Sequence, residues 1–175
     1  MGKRVAVIAF NPVNGSGLFQ YLEAFFENKI SYRTFAIADV REIKTNSGIS
    51  ILLDDVIANL RGNEKNYDAL VFACGDAMLK YSDNVTKPYY EDMRKIIKAF
   101  NDQNKLVVGH CAAAVIFDQT GITIGRQVSV HPYGKKSISN GMANDEKVTI
   151  SQNLYTAQTE NCLSDIIPQL LEALS

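Results

Sequence analysis

Four short, mainly apolar runs separated by helical or turn-rich stretches leave this chain few folds to choose from. RVAVIAF (4–10), SYRTFAIA (31–38), DALVFACG (68–75) and KLVVGH (105–110) have the length and β-branched content of strands. The first and third read as strands buried on both faces. Between the first two lies LFQYLEAFFENK (18–29), with Leu18, Tyr21, Leu22, Phe25 and Phe26 at helical spacing. Residues 89–103 read as a helix with charged faces, and 111–121 as a helix ending at Gly121. Residues 41–63 suggest a hairpin or arm followed by a short helix. GRQVSVHP and KVTISQNLYTA read as two further strands. LSDIIPQLLEAL closes the chain as an amphipathic helix, with Pro168 predicting a kink or an early start. Strands alternating with helices build βαβ units. The expectation is one domain over 1–175, a three-layer α/β/α sandwich around a mainly parallel sheet.

Several function classes are excluded by composition. The net charge is -1 and no basic run exceeds two residues, which argues against a nucleic-acid partner. No apolar run approaches a membrane span, and the N-terminus lacks the long apolar region of a signal peptide. The three cysteines, Cys74, Cys111 and Cys162, show no CxxC spacing. Neither a disulfide framework nor a metal site is expected, and a reduced, cytoplasmic protein without a cofactor is the simplest reading.

Ligands of open α/β sheets bind beyond the carboxyl ends of the strands. Three loops leave such ends: 11–17, 74–78 and 110–113. In the last, KLVVGHCAAAVIF places Cys111 where a strand turns into a helix, flanked by Gly109, Ala112, Ala113 and Ala114. A sharp turn of this kind crowds the backbone, so its neighbours must be small. It exposes its central side chain at a helix N-terminus, where a thiolate is favoured over a thiol. That is the logic of a nucleophile elbow with cysteine as nucleophile. A buried cysteine filling a tight turn would explain the same residues. The two histidines are His110 and His131. Neighbouring strand residues point to opposite sides, so His131 is the better base or hydrogen-bond partner for the thiol. Asn14, Ser16 and Gly17 form a weak anion-binding turn or, more simply, a turn with Ser16 as helix N-cap. Asn14 or Ser16 could also hydrogen-bond the Cys111 thiolate.

YDALVFACG, KLVVGHCAAAVIF, TGITIGRQVSVHP and DIIPQLLEAL together resemble the ThiJ/PfpI family of the class I glutamine amidotransferase-like superfamily, and within it the deglycase branch. The resemblance implies a flavodoxin-like sandwich, usually a homodimer, in a family associated with the stress response. It implies Cys111 as the reactive thiol, the amides of Gly75 and Ala112 as the oxyanion hole, and His131 near the sulfur. The implied partner is a small-molecule or peptide-like carbonyl substrate: an amide, a thioester or a dicarbonyl. The family also places a glutamate at the start of the first helix, hydrogen-bonded to the thiolate. Here that position is Gly17. Cys74 replaces a family glycine, and Ala113 another. With the glutamate missing, a thiol sensor with Cys74 as resolving cysteine, or a small-ligand binding protein, remain the alternatives to an enzyme. A closed pocket with Cys111 covered by Phe72 or Tyr133 would favour the binding protein. Restoring the acid by Gly17→Glu is expected to raise activity if the side chain fits.

Overall fold

The computed structural model describes residues 2–175. In chain order, β1 (Arg4–Ala9), α1 (Gly15–Glu27) and β2 (Ser31–Ala36) form the first parallel βαβ unit. β3 (Glu42–Lys44) and β4 (Ser50–Leu52) pair as an antiparallel hairpin, and β5 (Asp55–Val56) joins the sheet beside β2. β6 (Ala69–Ala73), α2 (Pro88–Asp102), β7 (Leu106–His110) and α3 (Ala113–Gln119) continue the alternation. β8 (Gln127–Val128) pairs with β9 (Met142–Ala143), β10 (Val148–Ser151) with β11 (Leu154–Ala157), and α4 (Leu163–Leu174) ends the chain. The main sheet has seven strands in the order β10-β11-β7-β6-β1-β2-β5, parallel except for the β10–β11 pair. This is the α/β/α sandwich that the alternation implied, with the flavodoxin-like form that the resemblance implied.

Period-two alternation along the strands divides the apolar residues between two cores. Ala6, Ile8, Leu70, Phe72 and Val107 face α2 and α3, where Met93, Ile97, Phe100 and Phe117 cover them. Val5, Val7, Val71 and Val108 face α1 and α4, and meet Leu18, Tyr21, Phe25, Leu163 and Leu170. The central strands are apolar on both sides because both sides are covered.

The structure departs from the expected elements where neighbouring chain, rather than local pattern, decides. KVTISQNLYTA is a hairpin, not one strand: it turns at Gln152, a non-glycine residue with φ 58°. GRQVSVHP yields only the two-residue β8, outside the main sheet. The short helix expected in the latter part of residues 41–63 is a single 3-10 turn, Ile57–Asn59, preceded by the edge strand β5. α4 runs through Pro168 without ending. The N-cap of α1 is Asn14 rather than Ser16: its Oδ1 accepts a hydrogen bond from the Gly17 amide at 2.7 Å.

Candidate active site around Cys111

β1, β6 and β7 lie side by side, with Ala9 level with Ala73 and Phe72 level with Gly109. Their following loops therefore emerge together. The loop after β1 is held on two sides. The Asn14 amide donates to the Cys74 carbonyl (2.9 Å) and the Val13 amide to Lys44 (2.9 Å), while Val13 accepts from Asn46 (2.8 Å). Gly75 permits this approach. A Cβ there would lie 2.3 Å from the Pro12 carbonyl oxygen and 2.5 Å from Val13 Cα. Its φ of -172° is open to any residue, so contact with backbone, not conformation, demands glycine.

Cys111 has φ 58°, the left-handed region that a non-glycine residue seldom occupies. The surroundings fix that angle. The Cys111 amide donates to Ala157 of β11 (3.1 Å), and its carbonyl accepts from the His131 amide (3.0 Å). Beneath the turn, a Cβ on Gly109 would come within 2.7 Å of both the Ala113 Cβ and the Phe117 ring. The small residues thus let α3 pack directly over the end of β7. Backbone strain held by surrounding contacts is the signature of an elbow residue.

α3 begins two residues after the cysteine and is only seven residues long. The main influence on the thiol is a hydrogen bond from the Cys74 side chain, which pulls the Cys111 pKa below the ordinary cysteine value. Partial burial opposes it, the Ala112 amide assists, and the carboxylates of Glu160 and Asp76 raise it somewhat. Cys74 shifts the other way, well above the usual value, because its proton is held in that hydrogen bond and its sulfur is buried. The thiol pair therefore loses its first proton from Cys111.

His110 lies with its ring beside Gly17, the position where the resemblance implied a glutamate. Its imidazole is buried between β7 and α1, with Nδ1 3.3 Å from the Tyr21 hydroxyl and Nε2 without a partner. A Cβ on Gly17 would lie 2.5 Å from that Nε2 and 2.9 Å from Cε1. Gly17 is an ordinary helical residue of α1, so any side chain there is opposed by the ring rather than by its own φ. The condition set for a glutamate at position 17, that its side chain fit, is therefore met only if the His110 ring moves. Burial pulls the His110 pKa down to about 4, so the ring stays neutral through the physiological range.

A cleft of about 460 Å³ opens at these loop ends. Of the expected residues, Asn14, Cys74, Gly75, Cys111, Ala112 and His131 line it, whereas Ser16, Gly17 and His110 do not. Asn14 Oδ1 accepts from the Gly17 amide at 2.7 Å and the Ser16 hydroxyl oxygen accepts from Gln20 Nε2 at 3.2 Å. His131 Nδ1 accepts from the Tyr133 amide (3.3 Å) and its ring stacks on Tyr133. Cys111 is covered by neither residue named above: Phe72 lies in the core, and Tyr133 is 93% exposed at the rim. Asp76 and Met78 come from the expected loop 74–78, though neither was singled out there, and Leu79, Val115 and Glu160 complete the cleft wall unforeseen. Glu160 was legible only through β11. Had residues 148–157 been read as a hairpin, the end of β11 would have fallen beside Cys111. Among the described residues no group of three or more His, Cys, Asp or Glu side chains could hold a metal ion.

Residues 3–173 match the DJ-1/PfpI family. This chain belongs to that family. It is 55% identical over 174 residues to protein ppBat of Bacteroides thetaiotaomicron, covering 99% of each chain. A crystal structure from the same organism, provisionally called protease I, is 55% identical with a TM-score of 0.98, and the match covers 99% of this chain and 100% of that one. Drosophila melanogaster DJ-1beta has the same fold at 16% identity, with a TM-score of 0.86 over 99% of this chain and 91% of its own. In this chain the His110 ring lies beside Gly17, and Cys74 and Cys111 line the same cleft. No helix among the described residues is long and apolar enough to cross a membrane.

Proposed function

We propose that this DJ-1/PfpI protein is a cysteine-dependent hydrolase or amidase that acts on a carbonyl carbon through Cys111. One observation carries the reading: a cysteine held at φ 58° over an open cleft, with its pKa lowered by the Cys74 thiol and the Ala112 amide. The thiolate adds to the carbonyl carbon of an amide or thioester, and the C=O electron pair moves onto oxygen. The amides of Gly75 and Ala112 on the cleft wall are the proposed donors to that oxyanion. Collapse breaks the bond to nitrogen or sulfur, the leaving group takes up a proton, and water then hydrolyses the acyl-thioester. With a dicarbonyl, addition to the aldehyde gives a hemithioacetal instead. A neutral His131 whose Nδ1 accepts from Tyr133 carries its proton on Nε2. We assign that N–H to hydrogen-bonding the leaving atom, while the proton that the leaving group takes up comes from water. A cytoplasmic homodimer, by family likeness, belongs to the same proposal.

The test is acid quench after mixing with a small thioester, followed by peptide mass analysis. The acyl group is expected on the peptide carrying Cys111. An unacylated Cys111 that is still alkylated by iodoacetamide would count against the proposal. A second reading has its own support in the two thiols, Cys74 and Cys111, that line the same cleft. A sensor would convert a Cys111 sulfenic acid, formed by a hydroperoxide, to a Cys74–Cys111 disulfide with loss of water. Mild peroxide that leaves both thiols free would dispose of it.

A further inference from the structure

Two carboxylates line the cleft, and no lysine or arginine does so among the described residues. Asp76 sits at the end of β6, its amide fixed by Asn46 Oδ1 at 2.9 Å. Glu160 sits beyond β11, and its carbonyl accepts from Gln20 Nε2 at 3.2 Å. The two acids come from different loops and converge on the same space. Lys135, close to the rim in sequence, is committed to an ion pair with Asp145. Met78, Leu79, Val115 and Tyr133 add apolar lining to the same cleft.

We infer, on the reading of this cleft as a carbonyl site, that its substrate is cationic: an amine-bearing acyl compound with an apolar side chain, such as an aminoacyl amide or ester. The carbonyl would meet Cys111, the ammonium group Glu160 and Asp76, and the side chain the apolar lining. A carboxylate-bearing substrate would face both acids and the thiolate at once. In a cleft with low-dielectric walls, charge of one sign concentrates the opposite ion about 10- to 1000-fold. The effect of both acids on the Cys111 pKa shows that their field reaches the sulfur. The volume suits a ligand of one or two amino acids.

The experiment needs no turnover. Cys111 is modified with two methanethiosulfonates of similar size, one carrying a trimethylammonium-ethyl group and the other a sulfonatoethyl group. In each case the thiolate displaces methanesulfinate and forms a mixed disulfide. Rates at Cys111, read by peptide mass and divided by those of free cysteine, give a cation-to-anion ratio. A change in thiolate fraction alters both rates equally and cancels. The expected ratio is about tenfold or more at low ionic strength, falling as salt is added. It should fall in Glu160→Gln and Asp76→Asn, and furthest in the double variant. A neutral methyl reagent and a melting curve confirm that the variants are folded. If they do not fold, the wild-type ratio and its salt dependence decide. A ratio near or below one, or a folded double variant with an unchanged ratio, overturns the inference. A high, acid-dependent ratio in a protein that turns over no carbonyl compound would uphold the charge selection and defeat the hydrolase reading alone.

Discussion

The chemistry of the site turns on the pairing of residues that the sequence shows only singly. Cys111 was legible from its small neighbours, because a sharp turn can be inferred from the side chains it tolerates. Cys74 was expected nearby as a resolving thiol, but its part in lowering the Cys111 pKa was not legible, since that depends on β6 and β7 being adjacent and in register. Replacing Cys74 with alanine should raise the Cys111 pKa. The alkylation-rate profile should move to higher pH, and the rate at neutral pH should fall several-fold, since one pKa unit is tenfold in thiolate below the pKa. An unmoved profile would show that Ala112 and the turn suffice. Gly17 was legible as a departure, but the ring that fills its space was not. Gly17→Glu should now destabilise the protein by about 1–3 kcal/mol through overpacking against His110. Thermal melting checks this, and a second change, His110→Ala, should recover part of the loss. A Gly17→Glu protein as stable as wild type would mean that the imidazole moves aside freely.

Among the elements, the buried strands and the long amphipathic helices could be read from their periodicity, because burial on both faces leaves an unbroken apolar run. The region between α3 and β10 could not, because it is organised by a single carboxylate. Asp118, buried at the end of α3, accepts from the amides of Ser139 (2.9 Å), Asn140 (3.1 Å) and Gly141 (2.8 Å), and from the Thr123 hydroxyl. Nothing in the local sequence pattern of residues 139–141 announces a partner some twenty positions earlier. Burial pushes the Asp118 pKa up, but these hydrogen bonds outweigh it and hold it below the usual carboxylate range. The folded pKa is depressed, so the stability it supplies is present above the unfolded value of 3.8 and is lost as pH falls through the folded one. Asp118→Asn should cost about 1–3 kcal/mol at neutral pH. The gap from wild type should narrow in acid below about pH 4. Melting curves at pH 7 and pH 3 check both, and a constant gap would contradict the ionised role.

Across the whole molecule, the order β7-β6-β1-β2 places the carboxyl ends of three strands at one crevice, and the hairpin ending in β11 brings Glu160 to the same place. The alternation of elements foretold the sandwich, since parallel strands need crossover helices on both faces. It could not foretell which acids would reach the cleft, because strand order beyond the first βαβ unit is set by tertiary packing. The account stands on Cys111 being the atom at which a carbonyl compound reacts. The most direct measurement is turnover of a panel of amides, thioesters and dicarbonyls, aminoacyl amides included, by wild type and by Cys111→Ala with its fold verified. The account predicts turnover of at least one class by wild type and only the uncatalysed rate with the variant. Equal rates for the two proteins would contradict it.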